Sequence, residues 1–193
     1  MYNIELGYKT NPDWTQIILD NFDIFLADHA DCERKASAMA MNFVAKCPDK
    51  IQMIKPLINL ALEELRHFKQ VYEIMSDRGI ALNVKMHDDP YINKLLALCK
   101  STSRERLLDR LIVASLVEAR GAERFGILAD ALTDIFLKEF YYNLFVAEQK
   151  HGQVFIKLAG MHYSELEINP RLSFFIEQEA SIIQSLEWRP SLH

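Results

Sequence analysis

An all-α fold is predicted for this chain, and three observations carry the prediction. Apolar residues recur mainly at helical spacing, and only six glycines and six prolines punctuate 193 residues. The turn signals that do occur divide the chain into four long periodic stretches, joined by a short, a long and a short connection. Half the residues are hydrophobic and a quarter charged, as in globular rather than disordered chains. One domain over residues 1–193 is expected, long enough to bury a core without staples. With no secretory signal and no run of about 18 apolar residues, the expected location is the cytoplasm, with no membrane partner. Cys32, Cys47 and Cys99 show no CxxC spacing and are expected as buried or free thiols of a reducing compartment. The net charge of −5 does not advertise a nucleic-acid partner, since proteins that hold phosphate backbones usually show a basic face.

The first helical pattern runs from about Asp13 to Lys46, and "CPDK", residues 47 to 50, reads as a tight connection. The second runs from about Asp49 to Arg78, with a bend expected at Pro56 and a left-handed C-cap at Gly79. The long connection follows, with turn signals at Asp88, Asp89 and Pro90 and a short helical piece. Ser101 or Ser103 caps a third helix to about Leu132. After little or no break near Thr133 and Asp134 the fourth runs to about Gly160, and "RLSFFIEQEASIIQSL" docks as a fifth. Two antiparallel hairpins joined by one crossover is the connectivity of ferritin-like bundles.

Each long helix has one stripe, in alternating steps of three and four, that would face a bundle interior. In the first it passes through Phe22, Leu26, His29, Glu33, Ala36, Ala40 and Phe43. The second gives Leu57, Leu60, Glu64, His67, Val71 and Ile74. The third carries Glu118 between Ala114 and Gly121, and the fourth carries Glu148 and His151 between Leu144 and Phe155. An unpaired carboxylate costs several kcal/mol in a bundle core, and no Lys or Arg lies on the stripes to neutralise these. Two divalent cations do so, because four carboxylates bring −4, two metals bring +4, and imidazoles are neutral ligands. One Glu from each of two helices, with Glu-x-x-His from each of the other two, is the ligand set of di-iron and di-manganese bundles.

With 15 glutamates and 6 histidines, chance supplies about 0.5 Glu-x-x-His motifs in a chain of this length. Two occur, both on the stripes. Glu33 precedes Glu64 by 31 residues and Glu118 precedes Glu148 by 30, as expected if each hairpin donates half of a pseudo-symmetric site. Glu123, five residues past Glu118, is turned about 140° around the helix and should face elsewhere. Glu63 is one position off its stripe. His29 is read either as a satisfied core histidine or as a support for the ligands or a handler of protons, and Tyr141 as core packing.

The segments "DHADCERKAS", "LEELRHFKQVYEIMSDRGI", "DRLIVASLVEARGAERFG" and "FYYNLFVAEQKHGQVFIKLAG" resemble the tRNA 2-methylthio-N6-isopentenyladenosine hydroxylase (MiaE) family, over about residues 10 to 190. The resemblance implies a ferritin-like fold with iron ligands at Glu33, Glu64, His67, Glu118, Glu148 and His151, and no catalytic residue beyond them. It implies a monooxygenase that uses two iron ions and O2 to hydroxylate the isopentenyl group on the adenosine beside the anticodon. The implied partners are tRNA and an external two-electron reductase. Four neutralised glutamates would move the balance from −5 to about −1. Arg104, Arg106, Arg110, Arg120 and Arg124 could form a local basic face, although solvated helix surface is expected for most of them. The alternatives are a bundle oxygenase acting on another small hydrophobic substrate, or a ferroxidase or iron-binding protein. A rubrerythrin-like peroxidase is disfavoured, because no CxxC pair exists for a rubredoxin site.

Overall fold

A computed structural model describes residues 4–86 and 88–193, so residues 1–3 and 87 of the expected domain lie outside the described ones. The described residues form seven helices and no strand: α1 (Trp14–Asp20), α2 (Phe22–Lys46), α3 (Ile51–Asp77), α4 (Pro90–Ala97), α5 (Ser103–Ala131), α6 (Ile135–Gly160) and α7 (Glu165–Ser185). They divide into two compact units. One takes in residues 16–87 and 188–192, with α2 and α3; the other takes in residues 1–15, 88–187 and 193, with α4 to α7. None of these helices is long and apolar enough to cross a membrane.

In the α2–α3 unit, the expected first helix is two helices. Asn21 breaks it with φ −133° and ψ 38°, and its side-chain amide donates to the Ile17 carbonyl at 3.0 Å. A short amide side chain that takes over backbone bonding is a poor residue for a helix interior. The α2–α3 hairpin turns through Cys47–Lys50, and the Ser37 hydroxyl donates to the Ala61 carbonyl at 2.8 Å, joining the helices near mid-length. Pro56 lies in the second turn of α3 without ending it. Gly79 adopts φ 70°, while the Ile80 amide donates to Met75 at 2.8 Å, the left-handed stop that glycine tolerates. Leu57, Leu60 and Val71 line the buried stripe of α3, and Leu26, Ala40 and Phe43 that of α2. Phe22 and Ala36 are only half-buried.

In the other unit, Asp89 caps α4 by accepting from the Tyr91 and Ile92 amides at 2.9 and 3.2 Å, with Pro90 in the first turn. Asp134 caps α6 through the Leu137 amide at 3.0 Å, and Ser164 with Glu167 forms a capping box at α7. Contacts of Ser115 with Gly152 and of Gly126 with Phe145 set α5 and α6 antiparallel. Phe125, Tyr141, Phe155 and Phe175 are fully buried here, and Tyr141 packs against Phe125 with ring centroids 5.6 Å apart.

The arginines of α5 correct one expectation. Arg104 and Arg106 are exposed and Arg110 half-buried, but Arg120 and Arg124 are buried at 0% and 4% exposure. Arg120 donates to both carboxylate oxygens of Glu179 on α7 at 2.8 and 2.9 Å, to the Tyr8 carbonyl at 2.8 Å, to Thr10 at 3.2 Å and to Glu123. Tyr91 of α4 donates to the same Glu179 at 3.0 Å. Arg120 follows Glu118 by two residues, so it points to the opposite side of α5. That side is covered by α7 and the chain before α1, which a reading of α5 alone does not reveal. Burial opposes charge on Arg120, but the Glu179 bonds and charge outweigh it and raise its pKa. Burial and the neighbouring Arg120 lower that of Arg124 to about 10.

Candidate metal centre

Each unit carries its own set of the residues singled out in the sequence. In the α2–α3 unit, three of them converge. Glu33 and Glu64 are buried at 4% and 1% exposure and His67 at 8%. His67 turns Nδ1 toward both carboxylates, 3.3 Å from Glu64 Oε2 and 3.6 Å from Glu33 Oε2. The other Glu33 oxygen, Oε1, lies 2.7 Å from Nε2 of the fully buried His29, which packs against Phe25 at 5.8 Å. His29 is thus a buried histidine whose ring is paired with the Glu33 carboxylate. Glu63 is exposed, one position off the stripe.

In the α4–α7 unit, Glu148 and His151 are buried at 3% and 2%, with His151 Nδ1 2.9 Å from Glu148 Oε2. This repeats the i, i+3 arrangement of Glu64 and His67 with the same ring nitrogen facing the carboxylate. Glu118 on α5 is also buried. Gly152 brings it near that pair: a Cβ built on this glycine would stand 3.1 Å from the Ser115 carbonyl and 3.7 Å from the Glu118 Cβ. The Ser115 hydroxyl donates to the Gly152 carbonyl at 2.5 Å, so the helices meet backbone to backbone one residue beyond His151. Glu123 faces away, accepting from the Thr10 amide and hydroxyl at 2.9 and 2.8 Å.

Buried carboxylate oxygens beside imidazole nitrogens suit a divalent cation, which supplies the charge compensation that burial demands. Glu64, His67, Glu148 and His151 are all residues that could hold such an ion. Among the described residues the donor set contains no thiol, and Cys32, Cys47 and Cys99 are half-buried and outside any disulfide. Sequence reasoning missed the supports behind the α5 candidates. The stripe Ile168, Leu172, Phe175, Glu179, Ile183 on α7, buried throughout, carries the signal that would have found Glu179.

The fold and these buried Glu/His pairs define a class of protein, the ferritin-like helical proteins, with a buried carboxylate and histidine group that could hold metal. The fold superposes on that of a Synechococcus protein described as protein 43 with aldehyde deformylating oxygenase activity. The TM-score is 0.91 and the identity 30%, over 97% of this chain and 94% of that one. Within the class, residues 3–193 match the tRNA-(MS2IO6A)-hydroxylase (MiaE) family, and the chain belongs to it. It is 32% identical over 188 residues to the tRNA 2-(methylsulfanyl)-N(6)-isopentenyladenosine(37) hydroxylase of Pseudomonas putida, covering 97% of this chain and 91% of that protein. It is 37% identical over 134 residues to the protein of the same name from Salmonella typhimurium, covering 69% of this chain and 48% of that longer relative.

Proposed function

We propose that the two sets, Glu33, Glu64 and His67 with Glu118, Glu148 and His151, together hold two iron ions within one domain spanning residues 1–193. The protein then acts in the cytoplasm as a monooxygenase that hydroxylates the isopentenyl group of 2-methylthio-N6-isopentenyladenosine in tRNA. The observation that carries this reading is the recurrence of one buried pattern, a glutamate followed 30 or 31 residues later by Glu-x-x-His, in a chain of this family.

Iron held by these residues would supply activation of O2. One oxygen atom enters the substrate C–H bond and the other leaves as water, with two protons and two electrons consumed. The electrons come from a separate reductase. The contribution of this chain is to present deprotonated ligands in fixed orientation. Nδ1 of His67 and of His151 faces the carboxylates, His29 holds the far oxygen of Glu33, and Gly152 sets the distance between α5 and α6. Their burial excludes bulk water from the reacting oxygen. The substrate adenosine lies beside the anticodon in an unpaired loop, so it enters without melting a duplex.

The likeness to the deformylating oxygenase supports a second reading, oxygen chemistry on another small hydrophobic substrate. The two separate in one experiment. Deleting the gene and analysing tRNA nucleosides by mass spectrometry should convert the hydroxylated isopentenyl adenosine to its unhydroxylated precursor, and the plasmid-borne gene should restore it. An unchanged nucleoside profile would remove the tRNA reading and leave the second one standing.

A further inference from the structure

A tRNA substrate needs a surface that meets RNA. We propose that the end of the α4–α7 unit where α5 and α7 begin is that surface, a platform for the sugar-phosphate chain and a stacked base of the tRNA. This inference rests on the tRNA reading above. The chain carries −5 overall, yet this end gathers Lys100, Arg104, Arg106, Arg110 and Arg171 against Glu105, Asp109 and Glu167. With Glu165, the first residue of α7, the balance at this end is five cations to four carboxylates, an excess of one positive charge against −5 for the whole molecule. Lys100, Arg104 and Arg171 line a cleft of about 280 Å³ walled by Leu108, Tyr163, Leu166 and Pro170, and Arg106 and Arg110 lie outside it on α5.

Arg104 presents a stacking plane, and Arg171, whose side chain is only 19% exposed, anchors the wall beside it. The Arg104 guanidinium lies over the Tyr163 ring at 4.7 Å and is held there by Glu167 at 2.8 Å, yet its side chain remains 64% exposed. Arg171 is fixed by Asp109 at 2.7 and 2.8 Å and lies over Phe174 at 4.6 Å. Unpaired RNA is held by stacking on such guanidinium planes together with phosphate neutralisation. An acidic partner protein would use the charge, but not the exposed face of Arg104. Arg104 and Arg110 precede Glu118 on the same helix by 14 and 8 residues, about 21 and 12 Å at 1.5 Å per residue. Contacts at that range grip nucleotides flanking the target and fix its register, the role of phosphate contacts.

The test uses the full, iron-loaded chain and an anticodon stem-loop RNA bearing the isopentenylated adenosine, read by fluorescence anisotropy between 50 and 200 mM salt. Arg106→Glu and Arg110→Glu should each weaken binding about tenfold, and each should lower the slope of log affinity against log salt by about one. The KM for tRNA should rise with kcat kept. Arg106 takes part in none of the bonds described here, so its variant should melt with the wild type. Arg104→Lys keeps the charge and loses the plane, so its affinity should fall with the salt slope unchanged. Wild-type RNA affinity in both charge reversals overturns the inference. So does retained RNA affinity with a slowed reductase-driven reaction, which would make the end a protein dock. If the wild-type chain neither binds nor hydroxylates the tRNA, the functional reading itself fails and the platform with it.

Discussion

The α2–α3 hairpin and the α5–α6 hairpin carry the same ligand pattern on different scaffolding. In both, a glutamate on the first helix is followed by Glu-x-x-His on the second, and His Nδ1 sits within 3.3 Å of its own glutamate. Behind Glu33 stands a single imidazole, His29, at 2.7 Å. The contacts described around the Glu118 helix lie on the far side of α5. That side of α5 is instead clamped by the buried ion network of Arg120, Glu179, Glu123 and Tyr91, and its inner side meets α6 at a glycine. One hairpin orients its ligand through a neighbouring side chain, the other by fixing the rotation and separation of whole helices. Damage should therefore fall first on metal affinity in the former and on stability in the latter.

The largest effects come from the motif itself and should be equal in the two hairpins. Glu64→Ala and Glu148→Ala should each remove at least half of the roughly two irons per chain and cut hydroxylation at least about 100-fold. Metal analysis and turnover check this, with the exposed Glu63→Ala as a silent control. Full iron in either variant would break the symmetry on which the comparison rests. The supports should then divide. His29→Ala is expected to lower iron affinity about 10- to 100-fold at Glu33. Arg120→Met should cost about 3–5 kcal/mol of stability by stranding Glu179 in the core, and Arg120→Met with Glu179→Leu should recover most of it. Thermal and denaturant melts of the single and double variants measure that coupling.

What the sequence disclosed, and what it withheld, follows the same division. The long helices and the six candidate ligands were legible because both depend on local periodicity. A carboxylate on a leucine stripe is conspicuous wherever it lies, and all six candidates are buried. The break at Asn21 was not legible, because the helical pattern continues through it and one side-chain bond decides the matter. Arg120 was read as surface because its partner Glu179 lies 59 residues away, on a helix whose docking face the stripe of α5 does not predict. The role of Gly152 was hidden for a related reason. A glycine inside a helix shows its use only when another backbone stands 3.1 Å from its missing Cβ.

Gly152 therefore gives a more modest test. An alanine there gains about 1 kcal/mol of helix propensity but forces a methyl against the Ser115 carbonyl, an overpacking cost of about 1–3 kcal/mol. A net loss of about 1 kcal/mol is expected, with weakened iron binding because Glu118 moves with α5. The corresponding contact of the other hairpin, Ser37 to Ala61 at 2.8 Å, is a hydrogen bond, and Ser37→Ala should cost about 1 kcal/mol without touching iron. If both variants lose iron alike, helix separation matters equally on the two sides and the contrast drawn above is wrong.

The smallest expected effect concerns pH and belongs to the α4–α7 unit alone. Burial raises the Asp89 pKa, but His193 at 3.2 Å and the Tyr91 and Ile92 amides outweigh it and hold the carboxyl at about 2, against 3.8 ordinarily. A depressed folded-state pKa adds stability above the unfolded value, and that stability is lost as pH falls through the folded one. The contribution is therefore complete above about pH 4 and gone near pH 2. Asp89→Asn keeps the cap acceptor and loses the charge, so it should be less stable than wild type at pH 7 by about 0.3–1 kcal/mol. The gap should close on acidification from pH 4 to 2, because protonation then removes from the wild type what the substitution has already removed. A gap that stayed constant over that range would mean that Asp89 acts through packing, and that the cap of α4 is indifferent to its charge.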